Sequence, residues 1–548
     1  MKFVTIPKSL LFLFFVIVVE LSLYLFLANR EAALTPPGHV HTMSTLNMYY
    51  PSIIRQSSLS SAWTIVDTNT TLPAPKVYAY VFFIIAGKIA ALAHIDPVSM
   101  YELLRVTGGI ALIIATYWLI TLLLPESLHM LAILLTMIID TGPVWADTFH
   151  LPITQWTAAV PGHAIIERHF IFPHHLWGKT IGLILVCFIF HTLKKPKAIM
   201  LICIFLLGLT GTITLPSYFF ILMTSLLIPW LFYAFITKNL KKTIPPVVTA
   251  LMGITLAGLW IKYDFSKGPP YDAMVAVEKS WWTNSSVLIT YAQSLTLFYP
   301  FIIFLALLAP FDWSKWPKHI RLAAVLAASW SIAPIGLIII SKQPWFPIAN
   351  GRIASDVSLV PVGILAALGV YALWHAFGNR RILRQFAVGL LVVITGTSLF
   401  LSVSYFRQKM DAQVKAVDGE GYSWILYPSF DLWNAVMALK KVPPYSHIMV
   451  NPRVGELLPT YVPVRSYQSA PLTFVDWLTR RGLSYLFYTG EMTPDERNKL
   501  LSENKISYIF YGPEEKSALK TKAFYPGVFQ TLYQNHEVTI YKVRQSAL

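Results

Sequence analysis

Charged side chains are scarce in this chain: of its 548 residues only 13% are Asp, Glu, Lys or Arg, while 55% are hydrophobic. Soluble globular proteins carry about 25% charged residues, so a water-soluble protein with a single core is excluded. Cysteine is scarcer still, with only Cys187 and Cys203, both inside apolar runs. That rules out a disulfide framework and a Cys-based zinc site, and it leaves the redox compartment unread. Neither a G-x-G-x-x-G run nor a P-loop occurs, so no nucleotide fingerprint is present. Internal repeats and low-complexity segments are missing too.

What the chain does have is apolar length and positive charge. The net charge is +16. On a soluble protein that surplus would suggest nucleic acid, but on a membrane protein Lys and Arg collect in cytoplasmic loops and set orientation. No nucleic-acid partner is expected. The 17 Trp, 27 Tyr and 33 Phe fit the aromatic belts of a lipid interface.

Apolar stretches of about 18 residues or more can cross the hydrocarbon layer as helices. They lie at 8–28, 107–125, 174–193, 199–213, 216–237, 244–262, 294–311, 321–341, 357–377 and 385–405. Two further stretches, 78–95 and 128–141, are ambiguous. Four short loops each hold three basic residues: Lys194, Lys195 and Lys197; Lys238, Lys241 and Lys242; Lys315, Lys318 and Arg321; Arg380, Arg381 and Arg384. They alternate with loops poor in Lys and Arg, which puts all four on the cytoplasmic side. Counting back to a cytoplasmic N-terminus works if 78–95 lies in the outer interface, where Lys88 escapes the cost of the bilayer centre. The expected fold is a polytopic α-helical membrane protein, with about 11 transmembrane helices plus one interfacial helix. Its first segment is a retained anchor rather than a cleaved signal. The large loops, 29–106 above all, then face outward, and chemistry is expected there.

Residues 406–548 change regime. Charged residues become frequent and a soluble α/β pattern emerges: a helix over 431–441, strands at 447–450, 506–511 and 538–543, and a capped helix start at Thr493-Pro-Asp-Glu. The division expected is a transmembrane domain, 1–405, and a non-cytoplasmic α/β domain, 406–548.

Three outer loops carry candidate chemistry. The first holds His39, His41, Asn47, Tyr49, Tyr50, Trp63 and Asp67. The second runs from Asp140 through Asp147 to His174 and His175. Seven outer histidines invite a metal, but their spacing does not match His-Glu-x-x-His, and they more simply bond at the interface or touch a ligand headgroup. The third holds Lys342, Arg352 and Asp356. Arg352 defies the charge rule on the outer side; it can clamp a phosphate or pair with Asp356. Asn69-Thr-Thr and Asn284-Ser-Ser fit the glycosylation pattern on outer loops.

With Tyr50-Pro-Ser-Ile-Ile-Arg-Gln and Trp63, Tyr78 to Gly87, Pro173-His174, Gly351-Arg352 leading to Pro361-Val-Gly-Ile-Leu-Ala-Ala, Ser507-Tyr-Ile-Phe-Tyr-Gly-Pro-Glu-Glu and Val538-Thr-Ile-Tyr-Lys-Val, the chain resembles the integral-membrane glycosyltransferases of the GT-C superfamily, and within them an uncharacterised bacterial branch. The resemblance covers nearly the whole chain in order. It implies transfer of a sugar from a polyprenyl-phosphate carrier to a glycan, lipid or protein acceptor on the non-cytoplasmic face of a bacterial plasma membrane. It also implies that Arg352 contacts the donor phosphate while His174 and Asp147 line the cavity. Such enzymes usually place a catalytic acid in the first outer loop, yet 32–66 contains no Asp or Glu, and Asn47 stands where the acid is expected. An amide is not a base at neutral pH. The role then falls to His41, Asp67 or Asp147, or the chain is a catalytically altered member.

Combining residues and resemblance, the expected activity is that of a lipid-dependent glycosyltransferase. Asp67, Asp147 and His41 are the candidate bases. Arg352, Lys342, His174, His39, Asn47, Tyr50 and Trp63 are the candidate substrate contacts. The residues name no cofactor; a divalent metal is compatible with the chemistry but not expected from them. Two alternatives stand beside this: a non-catalytic flippase or transporter of a lipid-linked substrate, and a GT-C-like assembly protein.

Overall fold

The protein is described from a computed structural model, over residues 7–42, 49–78, 80–138, 172–194, 197–273, 303, 316–343, 345–346, 348–376, 381–415, 426–469, 477–521 and 523–544. The helical part runs α1 (Lys8–Ala33), α2 (Tyr49–Leu59), α3 (Val81–Ala93), α4 (Pro97–Leu123), α5 (Glu126–Ile138), α6 (Pro173–Lys194), α7 (Ala198–Thr214), α8 (Pro216–Ile236), α9 (Leu240–Phe265), α10 (Lys318–Ile340), α11 (Asn350–Asp356), α12 (Val360–Ala376) and α13 (Arg381–Lys415).

Six of these, α1, α4, α6, α8, α9 and α10, are long and apolar enough to cross a bilayer. The shorter apolar helices α3, α5, α7 and α12, and 387–401 within α13, add to them. All the expected crossing segments within the described residues are helical, and all of 294–311 except residue 303 lies outside them. At 13 residues α5 rises only about 20 Å, short of the roughly 30 Å layer. Proline sets local breaks. Pro216 starts α8 directly after Leu215, where α7 has ended, and Met223–Leu227 forms a π turn within α8.

The chain divides into two compact units, one of 1–27, 104–260 and 279–408, the other of 28–103, 261–278 and 409–548. In the first unit, close helix approaches depend on glycine. A Cβ on Gly363 of α12 would lie 2.5 Å from Thr136 Oγ1 of α5, and one on Gly178 of α6 would lie 2.5 Å from Leu215 Cβ.

In the second unit α2 and α3 pack as a pair. A Cβ on Gly87 would meet Ile54 O at 2.5 Å and Ser57 Cβ at 2.6 Å, so only glycine admits this crossing. Lys88 folds back from α3 and donates to Ser57 O at 2.9 Å and to Ser60 O. The other face of α3 exposes Ile85, Ile89 and Leu92, the pattern of a helix against lipid.

The rest of this unit adds α14 (Phe430–Ala438), β1 (His447–Met449), α15 (Pro452–Tyr461), β2 (Arg465–Ser466), α16 (Trp477–Thr489), α17 (Pro494–Glu503), β3 (Ile506–Tyr511), α18 (Pro513–Ser517), β4 (Phe529–Gln534) and β5 (Thr539–Val543). The sheet order is β2-β1-β3-β5-β4, parallel from β2 to β3 and antiparallel at β5 and β4. Thr493 caps α17 with Glu496 in a reciprocal capping box. Behind the sheet Phe487, Tyr488, Leu501, Ile509 and Phe524 form an aromatic-rich core.

Candidate active site

Asp67 lies on a loop closed by the backbone pair Ile65 and Val77, with N···O distances of 2.9 and 3.0 Å. Its Oδ1 accepts from the Asn69 backbone N–H at 2.8 Å, a local turn typical of Asp. Two arginines hold the loop's carbonyls and hydroxyls. Arg465 donates to Thr70 O at 3.0 Å, Leu72 O at 2.6 Å and Asp67 O at 3.3 Å, while Arg480 donates to Thr71 Oγ1 and Asn504 Oδ1.

The carboxylate of Asp67 is 2% exposed, and its Oδ2 has no hydrogen-bond partner among the described residues. Burial pushes the carboxyl up to about 6, against the Asn69 hydrogen bonds and the Arg465 charge. Within electrostatic reach are the phenols of Tyr49 and Tyr271, and the Tyr271 hydroxyl is likewise buried without a partner among the described residues. Rings continue outward from these two: Tyr49 to Tyr80 at 5.6 Å, Tyr50 to Tyr80 at 5.8 Å, Tyr50 stacked on Phe83 at 4.5 Å, and Phe265 to Tyr271 at 6.0 Å. Tyr80 sits in the left-handed region at φ 65°, a strained setting for a bulky residue at the start of α3. A buried carboxylate oxygen free to accept a proton, walled by phenols, is suited to deprotonating a hydroxyl.

The first unit holds a second cluster. Pro173 starts α6, so the first turn presents His174 and His175. His175 Nδ1 is 3.1 Å from Asp356 Oδ1, and Ser217 at the start of α8 donates to Asp356 Oδ2. Burial pushes the Asp356 carboxyl up, but His175, Arg352 and Ser217 outweigh it and hold it well below the usual carboxylate range. Arg352, on α11, contributes positive charge to Asp356, His174 and His175. The carboxylate oxygens thus meet His175 and Ser217, and the charge of Arg352, the partner the sequence suggested, acts on the same group.

The remaining expected residues distribute as follows. His41 stacks on Tyr427 at 5.4 Å with its Nε2 3.9 Å from Glu31 Oε1, and shares no described partner with Asp67. His39 Nδ1 contacts Pro37 O at 3.1 Å. Trp63 is exposed beneath Lys88, and Lys342 is exposed after the end of α10. Asn47 and Asp147 lie outside the described residues, as do His150, His163, His169 and Asn284. The glycosylation pattern at Asn69 is overturned, because Asn69 and Thr71 are buried, with Asn69 bonded to Ser52 and Ser469. Among the described residues no group of three metal-ligating side chains forms. Sequence reasoning missed Tyr271 and Arg465, which carry no motif, and it named His175 among the histidines without its pairing to Asp356.

No family model and no curated protein matches the chain. Solved structures do. ArnT from Cupriavidus metallidurans bound to undecaprenyl phosphate superposes with a TM-score of 0.54 at 13% identity, over 97% of this chain and 98% of that one. The arabinofuranosyltransferase AftD from Mycobacteria, as a point mutant, matches with a TM-score of 0.50 at 12% identity, over 97% of this chain and 41% of that one. The oligosaccharyltransferase of Archaeoglobus fulgidus matches with a TM-score of 0.47 at 12% identity, over 90% and 70%. The chain has the GT-C fold, in an integral membrane protein.

Proposed function

We propose that this protein moves a sugar from a polyprenyl-phosphate donor to an acceptor hydroxyl on the non-cytoplasmic face of a bacterial plasma membrane, with Asp67 as the base. The observation that carries this reading is the buried Oδ2 of Asp67, without a hydrogen-bond partner among the described residues, on a carboxyl raised to about 6. A base with that value is ionised at neutral pH and still strong enough to take a proton as the bond forms. The acceptor O–H proton passes to Oδ2, the oxygen bonds to the anomeric carbon, and the bond from that carbon to the phosphate oxygen breaks with its electron pair on the phosphate. Tyr49 and Tyr271 wall the carboxylate, and Tyr50, packed against Tyr49, shapes the sugar site beyond them. Holding phosphate falls to Arg352 and His174, an Arg being able to bind its oxygens bidentately. The likeness to a protein solved with undecaprenyl phosphate supports the donor class. Asp147 and His41 stand as the alternative bases, and Asn47, His39, Lys342 and Trp63 are carried forward as proposed substrate contacts.

The test is transfer of label from a panel of polyprenyl-phosphate sugars by the chain in nanodiscs. Asp67→Asn and Arg352→Ala, made separately, are each expected to lower transfer by about 100-fold or more. Unchanged transfer in both overturns the reading. A flippase, which the break at Leu215 and the π turn of α8 would suit, would move lipid-linked sugar across the bilayer undiminished in Asp67→Asn.

A further inference from the structure

His175 is 6% exposed and stands in the first turn of α6. Its Nδ1 faces a fully buried carboxylate, Asp356, whose second oxygen already accepts from Ser217. A carboxylate there needs a donor, so Nδ1 carries the hydrogen and the neutral ring keeps its lone pair on Nε2. That Nε2 is buried with no hydrogen-bond partner among the described residues. His174 meets the ring edge-on at 4.4 Å, Phe172 at 5.6 Å, and the positive charges facing it are those of Arg352 on α11 and Lys179 on α6. An orienting acid, a lone pair without a partner and two nearby cations form a site for an anion that can share a proton.

Glycosyl transfer changes the phosphate. The donor is a diester with one negative charge, and the released lipid phosphate is a monoester with nearly two at neutral pH, its second pKa being about 6. We propose that the His175–Asp356 pair is a proton-uptake switch for a phosphate monoester. When the dianion binds beside Arg352, Nε2 takes one proton from solvent and donates it as a charge-assisted hydrogen bond to a phosphate oxygen, while Asp356 stabilises the imidazolium. No other bond is made or broken. The pair holds the product phosphate more tightly than the singly charged donor, and rising pH releases it. This inference rests on the polyprenyl-phosphate reading given above.

The experiment is calorimetric titration of the full chain in nanodiscs with farnesyl phosphate and, separately, with inorganic phosphate. It is run near pH 7.5, in two buffers of different ionisation enthalpy, where a monoester is mostly dianion. Wild type is expected to take up about one proton per bound farnesyl phosphate. His175→Gln is expected to lose that uptake and about tenfold or more in affinity, and Asp356→Asn to reduce the uptake. Uptake with both phosphates assigns the switch to the phosphate group itself, and uptake with farnesyl phosphate alone ties it to the lipid. Uptake with inorganic phosphate alone keeps the switch and removes the lipid from it. Binding of farnesyl phosphate by wild type with no uptake, or uptake that persists in His175→Gln, overturns the switch and leaves the polyprenyl-phosphate reading standing. No binding of either phosphate by wild type overturns both.

Discussion

Ser469 donates its hydroxyl to Asn69 Oδ1 at 3.1 Å, joining the first loop to the segment after β2 across 400 positions of sequence. Asn69 is 1% exposed, and an oligosaccharide cannot be accommodated on a buried amide. Expressed in a host that glycosylates Asn-x-Thr sites, the chain should carry no glycan at Asn69, read by peptide mass after endoglycosidase treatment. Ser469→Ala leaves the Asn69 oxygen short of a donor and is expected to lower stability by about 1–3 kcal/mol in thermal unfolding.

Asp67 couples stability to pH in a definite direction. Its folded value of about 6 exceeds the ordinary 3.8, so its stabilising share is complete below 3.8 and is lost as pH rises through about 6. Two units correspond to roughly 3 kcal/mol, an upper bound for one carboxyl. Asp67→Asn should therefore melt higher than wild type at pH 8 and alike near pH 4, while transfer falls. The rate of wild type should climb as pH rises through about 6. A flat pH profile would remove Asp67 from the base role.

Glu456 on α15 behaves likewise, since burial alone pushes it up to about 7. Glu456→Gln should raise the melting temperature above neutral pH and leave it unchanged in acid. Equal effects at both would mean that the carboxyl is not buried as a charge.

Arg465 holds three carbonyls of the 67–72 loop. Arg465→Lys keeps the charge but not the planar fork, so about two of these bonds are lost. Hydrogen exchange at 67–72 should accelerate and transfer should drop with it, although Arg465 touches no reacting atom.

Gly87 is the contact point of α2 and α3. Gly87→Val forces the helices apart and is expected to cost about 1–3 kcal/mol, read as a lower melting temperature and faster exchange of the Lys88 segment.

The membrane helices were legible because a crossing needs local sequence only: about 18 apolar residues are long enough whatever they pack against. The tail's strands and the Thr493 cap were legible for the same reason, alternation and capping being local patterns. Arg352 stood out as a cation where the charge rule expects few, and Asp67 as an acid just after a stretch that has none. Hidden were the relations. Nothing near Asp67 announces that Tyr271 and Arg465 close on it. The Asn69 pattern read as an exposed sequon because exposure is not encoded in three residues.

By itself, then, the sequence determined a chain for the bilayer with a polar α/β tail, since hydrophobic length and charge density act residue by residue. Only the tertiary structure decided which of its few loop acids are buried and what they face. Asp67 is left with an oxygen that has no hydrogen-bond partner among the described residues and with a raised pKa, and Asp356 is bound to His175 from 181 positions away. The reason is physical: a carboxyl's proton affinity depends on the solvent, charges and donors within a few ångströms, and chain distance does not predict those neighbours.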